Sequence, residues 1–219
     1  MLERTHSHLA ERFHDPTRVL ALCDGVCAII ITLLVIEIHP PALGPGETVR
    51  HALHELKPSL VAFALSFLVV SVAWVGHRDT FALIRRTDRW LVWLNIVYLF
   101  PLCLVPFGAS LITNYWEDPV ALRLYGLLLV GISLSRLAMW TYATGRTQLM
   151  YEAIDARART VGVLAAVVPA LVYGVGIAVA DGSPVLSILI YAAAPLVYVV
   201  LVTLARSAGS PDSVDRDFT

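Results

Sequence analysis

Apolar residues fall into long uninterrupted runs separated by short polar segments over most of the chain. The runs read from about Val19 to Ile38, Ser59 to Gly76, Trp90 to Ile112, Ala121 to Ala143, Val161 to Ala180 and Val185 to Ala205. Each is about 18 residues or longer, enough at helical rise to cross roughly 30 Å of bilayer hydrocarbon. None shows the period-two alternation of a membrane β-barrel, whereas a helix bonds its backbone polar groups within its own segment. The pattern predicts an all-α membrane protein with six transmembrane helices, forming one domain over residues 1–206 with a disordered polar tail over 207–219. The first run is too long for a signal peptide and no small-residue cleavage site follows it, so it is expected to stay as the first helix. No motif repeats at a fixed period, which argues against a fused double unit.

Arginine placement orients the runs, because positive residues in short loops mark the cytoplasmic side. Arg78, Arg85, Arg86 and Arg89 follow the second run, and Arg146, Arg157 and Arg159 follow the fourth. The opposite loops carry Glu117 and Asp118, and Asp181 to Pro184, so both termini are expected in the cytoplasm. The first outer loop, His39 to Pro58, is nearly charge-balanced; its PPALGPG start predicts a turn, and Glu47 to Leu56 a short interfacial helix.

Composition narrows the function classes. Hydrophobic residues make up 58% and charged residues 15% of the chain, against about 45–50% and 25% in soluble domains, and mean hydropathy is +0.73. A net charge of -1 supplies no basic excess for nucleic acid. Cys23, Cys27 and Cys103 lie inside the runs and read as small apolar packers, and His6, His8 and His14 as solvated side chains. No metalloprotease helix, phosphate loop, nucleophile triad or TVGYG carbonyl filter occurs, so neither an enzyme nor a bound cofactor is expected.

The few ionisable groups in the runs are Asp24 and Arg136, with Arg18, Glu37, His77 and Arg123 at the edges. Charge at membrane depth costs at least a few kcal/mol, so these groups need partners. Counted from the cytoplasmic ends, Asp24, His77, Asn95 and Arg136 share the inner third of the bilayer. One reading joins them into a polar layer with Arg136 opposite Asp24; the other has Arg136 snorkel to the interface and His77 mark a helix end. On a helical projection of the first run, Gly25, Ile29, Thr32, Leu33 and Ile36 form a smooth stripe, roughly opposite the line of Asp24, Ala28, Ile31 and Val35.

The segment from Arg18 to Leu22-Cys23-Asp24, followed by an Ala-Ile-rich run ending Thr32-Leu33-Leu34-Val35, resembles the first-helix signature of the bacterial transmembrane protein 175 family of potassium channels. Trp74 and His77 resemble that family's Trp-x-x-His, and Trp93-Leu94-Asn95 with Pro106-Phe107 its third helix. Leu22 and Cys23 stand where the family signature has Phe and Ser. The resemblance implies a homotetramer in the bacterial cell membrane whose first helices line a path for potassium ions without a carbonyl filter. Carried over by position, it places an apolar constriction at Ile29, then Thr32 or Leu33, then Ile36. It also implies a helix-anchoring network of Arg18, Cys23, Asp24, Trp74, His77 and Asn95. Glu37 is the candidate for a cation-concentrating ring at the outer mouth. The expected function is a potassium-permeable cation channel with copies of itself, lipid and potassium ions as partners. The competing reading, a proton-coupled transporter, calls for a midplane carboxylate or broken helix pair, and the runs show no acid near the midplane.

Overall fold

The computed structural model describes residues 15–39 and 48–207. The amino-terminal histidines, the PPALGPG segment and the expected tail beyond Ser207 lie outside the described residues. The helices are α1 (Thr17–Ile36), α2 (Val49–Glu55), α3 (Lys57–Ala82), α4 (Arg89–Cys103), α5 (Val105–Tyr115), α6 (Pro119–Thr144), α7 (Ala156–Val179) and α8 (Pro184–Ser207), with a 3-10 turn at Thr147–Leu149. Among the described residues there is no strand; one isolated antiparallel bridge joins Ile84 to Met150.

Five helical segments are long and apolar enough to cross a membrane: Thr17–Ile36, Lys57–Ala82, Arg89–Tyr115, Pro119–Thr144 and Ala156–Val179. A shorter apolar helix covers Pro184–Val200. The short helix expected between the first two runs is present as α2, with the Thr48 side chain accepting from the His51 N–H. The third run differs from the single helix expected over Trp90 to Ile112, because it is two helices meeting at Leu104. Pro106 has no N–H to offer the Leu102 carbonyl and disfavours helical backbone before it, so the hydrogen-bond ladder breaks there and restarts.

Aspartates start several helices by accepting first-turn N–H groups, which otherwise have no intrahelical partner. Asp88 accepts from Leu91 at 2.8 Å, Asp118 from Val120 at 2.7 Å and Asp155 from Ala158 at 2.6 Å. Asp15 does the same ahead of α1, accepting from both the N–H and the hydroxyl of Thr17, which holds its carboxyl below the usual carboxylate range. Helix α1 therefore begins cleanly at Thr17, with the Pro16 carbonyl taking the first turn's N–H groups.

The bundle is built around α6, which packs on α4, α5 and α7, while α7 packs on α8 and α3 packs on α1, α5 and α8. Tyrosines knit its interior: Tyr98 Oη donates to the Ala73 carbonyl, Tyr191 Oη to the Leu122 carbonyl, and the Tyr125 hydroxyl pairs with Ser66. Gly126 is required where Tyr191 crosses α6, since a Cβ there would overlap the phenol. At the arginine-rich end, the loop after α3 and the loop after α6 are clasped. The N–H groups of Arg85 and Arg86 share the Leu149 carbonyl, and the Tyr151 N–H donates to Leu83. Helix α1 lies to one side, packed on α3, α4 and α5.

Candidate functional site

Helix α1 divides into faces by what the rest of the chain covers. Val19, Cys23, Cys27, Ile30 and Leu34 are buried against the bundle, at the i, i+4, i+8, i+11, i+15 spacing of one helical stripe. Gly25, Ile29, Thr32, Leu33 and Ile36 are all exposed, with Ile29 at 59%, Leu33 at 43% and Ile36 at 63%. The stripe drawn from the sequence is thus left bare by the rest of the described chain. What lies across the helix from it differs from the projection. The Cys23 to Leu34 face is buried, whereas Asp24, Ala28 and Val35 are exposed on the flank. Thr32 Oγ1 donates to the Ile29 carbonyl at 2.8 Å, so its hydroxyl proton is used within the helix and the stripe presents no free donor.

The polar residues of the inner third do not join into one layer. Asp24 Oδ1 accepts from Trp74 Nε1 at 2.8 Å, tying α1 to α3. His77 Nε2 and Asn95 Oδ1 lie 2.7 Å apart, tying α3 to α4, and the imidazole stacks between Phe81 and Tyr98 with centroids 4.4 and 5.3 Å away. Both His77 and Asn95 are buried, and Asn95 Nδ2 is a buried nitrogen without a partner among the described residues. Cys23 Sγ meets Cys27 Sγ at 3.9 Å inside the α1 packing face. Arg18 is exposed and has no side-chain partner among the described residues. Glu37 sits at the carboxyl end of α1, half-buried, its carbonyl accepting from His39.

Arg136 is neither opposite Asp24 nor free to snorkel. Its Nη2 donates to the Ala165 carbonyl, and its guanidinium stacks 4.8 Å from the Tyr198 ring centre. Sequence reasoning missed this partner, although its signal is present: Pro169, inside α7, has no N–H for the carbonyl four residues earlier, which is that of Ala165. The aromatic walls of His77, Phe81 and Tyr98, were also missed; Phe81 follows His77 at the i+4 spacing that stacks rings on one helix face.

The Trp74 to Asp24 contact makes a graded expectation. Asp24→Ala leaves the indole N–H unpaired and should lower the stability of the fold by about 1–2 kcal/mol, while Asp24→Asn keeps an acceptor oxygen and should retain most of it. Size-exclusion profiles after a heating series measure both. Equal losses for the two variants would show that the carboxylate charge, and not the hydrogen bond, is what matters.

Comparison with known proteins places these features. The family model described as endosomal/lysosomal potassium channel TMEM175 matches residues 18–106, which run from the start of α1 into α5. A potassium channel of Streptomyces collinus is 37% identical over 150 residues, covering 66% of this chain and 72% of that relative. A potassium channel of Chamaesiphon minutus is 36% identical over 143 residues, covering 63% of this chain and 70% of that relative. The crystal structure of a lysosomal potassium-selective channel TMEM175 homolog from Chamaesiphon minutus superposes with a TM-score of 0.71 at 28% identity, covering 86% of this chain and 97% of that one. The likeness in fold therefore extends well past the segment that the family model matches.

Proposed function

Because the chain belongs to the TMEM175 family of potassium channels, we propose that it is a potassium-permeable cation channel, a homotetramer whose four α1 helices line the ion path. The observation that carries this reading is the bare stripe of Ile29, Leu33 and Ile36. It lies on the helix that begins the family match, faces away from its own bundle, and presents apolar side chains with no free donor. The proposed layers are Ile29 at the bottleneck, then Thr32 or Leu33, then Ile36, with Glu37 at the outer mouth concentrating cations. The exposed flank with Asp24 and Val35 would face a neighbouring subunit. Trp74, His77 and Asn95, with Cys23, hold α1 against its own bundle, and Arg18 extends the bare stripe toward the amino terminus. In this reading α8 completes six spans of one domain in the bacterial cell membrane, and both termini are cytoplasmic, the side the arginine-rich loops occupy.

A ring of isoleucines offers no oxygen to replace water, so a passing ion must carry part of its shell or lose it uncompensated. Potassium holds water less tightly than sodium, so such a ring favours potassium modestly, and an apolar ring also gates by dewetting.

Two measurements test the proposal. Native mass spectrometry in mild detergent should show four copies together; a monomer that conducts alone would end the shared-path reading. Potassium flux into liposomes should be driven by the potassium gradient with or without a protonophore. Flux that a protonophore abolishes would identify a proton-coupled transporter instead.

A further inference from the structure

We infer that a cavity at the arginine-rich end of the bundle, between the start of α1 and the loop after α3, binds a phosphodiester with a single negative charge, as in the glycerol-phosphate headgroup of an anionic lipid. Its phosphate would lie on Arg85 and Arg86 and its ester-linked carbons on Leu20 and Phe81. The inference does not depend on how ions cross the protein.

The cavity has a volume of about 660 Å³, within the roughly 300–1,000 Å³ of small-ligand sites. Its height in the bundle selects an amphiphile. One apolar span begins at Thr17 and the next ends at Ala82, and both residues line the cavity. The cavity therefore straddles the level at which apolar helix gives way to polar loop. Leu20 and Phe81 lie on the apolar side of that level, whereas Arg85, Arg86 and Tyr151 lie beyond it. A phospholipid passes from acyl chain to phosphate across the same boundary, and basic pockets there take lipid headgroups.

Both walls are fixed before any ligand arrives. The N–H groups of Arg85 and Arg86 reach the Leu149 carbonyl at 2.7 and 3.2 Å, Ile84 bridges to Met150, and the Tyr151 N–H donates to the Leu83 carbonyl at 3.1 Å. The two arginine side chains thus rise from a backbone that the clasp holds still. On the facing wall Asp15 Oδ1 accepts both the N–H and the hydroxyl of Thr17, and the Pro16 carbonyl accepts from Val19 and Leu20. Beneath the cavity Val19 joins Phe81, Ile84, Leu149 and Met150 in one buried apolar cluster, and Leu20 packs against it. The floor is therefore apolar and the rim polar.

Charge selects the anion. Among the described residues the lining carries two guanidiniums and one carboxylate, that of Asp15, a net charge of +1. Each guanidinium presents five N–H donors in a planar fork, the geometry that takes phosphate oxygens in pairs. The Tyr151 hydroxyl adds a further polar group at the rim. A monoanion brings the site to zero. A phosphate monoester carries up to one charge more and sets the excess against Asp15, and a zwitterion brings an ammonium that two guanidiniums repel.

The source of the group is a membrane lipid or a soluble glycerophosphodiester, and one experiment separates them. Native mass spectrometry of the full chain in detergent measures retention of phosphatidylglycerol against phosphatidylethanolamine. In parallel, thermal unfolding is followed while glycerophosphoglycerol is added. Phosphatidylglycerol should be retained in preference, and Arg85→Gln and Arg86→Gln should each weaken its retention roughly tenfold, the loss of one charge-assisted contact. Both side chains are exposed and the clasp uses only their backbone N–H groups, so the variants keep the fold. Arg146→Gln removes the same charge at the same end, but that guanidinium lies over the Tyr142 ring and outside the cavity, so retention should not change. Stabilisation by glycerophosphoglycerol that both cavity variants lose, with no preference between the lipids, makes the soluble compound the source. Equal retention of the two lipids without a response to glycerophosphoglycerol, or equal losses in Arg146→Gln and the cavity variants, overturns the inference.

Discussion

Ile29→Asn is expected to raise cation flux and to erode the preference for potassium over sodium. Four copies of an apolar side chain at the narrowest point oppose passage by leaving a dehydrated ion without ligands. An amide ring supplies oxygens and holds water, and removing about 1–2 kcal/mol of that barrier corresponds to roughly a five- to thirtyfold faster step. The gain should be larger for sodium, which loses more on dehydration. Ile30 provides the contrast: it is the next residue, yet it is 3% exposed and packed on the bundle with Cys23, Cys27 and Leu34. Ile30→Ala should cost about 2–5 kcal/mol of packing and reduce assembled protein without changing the ion preference of what remains. Potassium, sodium and caesium fluxes in liposomes, normalised to assembled protein, measure both variants. An unchanged potassium to sodium ratio in Ile29→Asn would mean that the bare stripe is a packing surface and that the path runs elsewhere.

The stripe was legible before the structure because a helix repeats about every 3.6 residues, and a run holding Gly25, Ile29, Thr32, Leu33 and Ile36 on one side has to put them together. What faces the bundle was less legible. Every residue of α1 from Val26 to Ile36 except Thr32 is apolar or small, so hydrophobicity alone does not separate the covered Cys27, Ile30 and Leu34 from the bare Ile29 and Ile36. Asp24 drew attention to its own line, yet the core sits to one side of it, and the carboxylate reaches a tryptophan from the boundary.

The partners of the membrane cations and acids were readable only in part, for a physical reason. Depth counting brings Asp24, His77, Asn95 and Arg136 to one level, but pairing also depends on which helices touch, and α1 does not lie beside the α6 to α7 contact that holds Arg136. Electrostatics suggested a carboxylate for that arginine; a proline-freed carbonyl on the adjoining helix was nearer. Prolines also decided the third run, where Pro106 breaks into two helices what hydropathy reads as one. The boundaries that depend on side-chain caps, such as the starts at Asp88, Asp118 and Asp155, were within reach of local rules, since each aspartate precedes the helix whose first turn it satisfies.

A large stability effect is expected at His77 and Asn95, and it should be strongly non-additive. The pair is buried between α3 and α4, close behind α1, with His77 Nε2 and Asn95 Oδ1 2.7 Å apart. His77→Leu strands the Asn95 oxygen in a place where its Nδ2 is already unpaired, so the whole amide becomes an unsatisfied polar group, at about 1–3 kcal/mol beyond the loss of the stacked ring. Asn95→Leu strands only the imidazole nitrogen and removes that orphaned Nδ2, so it should be the milder single change. Replacing both with leucine removes every unmatched group together, which in buried sites approaches neutrality. The double variant should therefore be more stable than His77→Leu alone, with an interaction energy of about 1–3 kcal/mol between the two positions. Thermal dissociation of the four variants in one detergent closes the cycle. Losses that simply add would mean that the two side chains do not depend on each other.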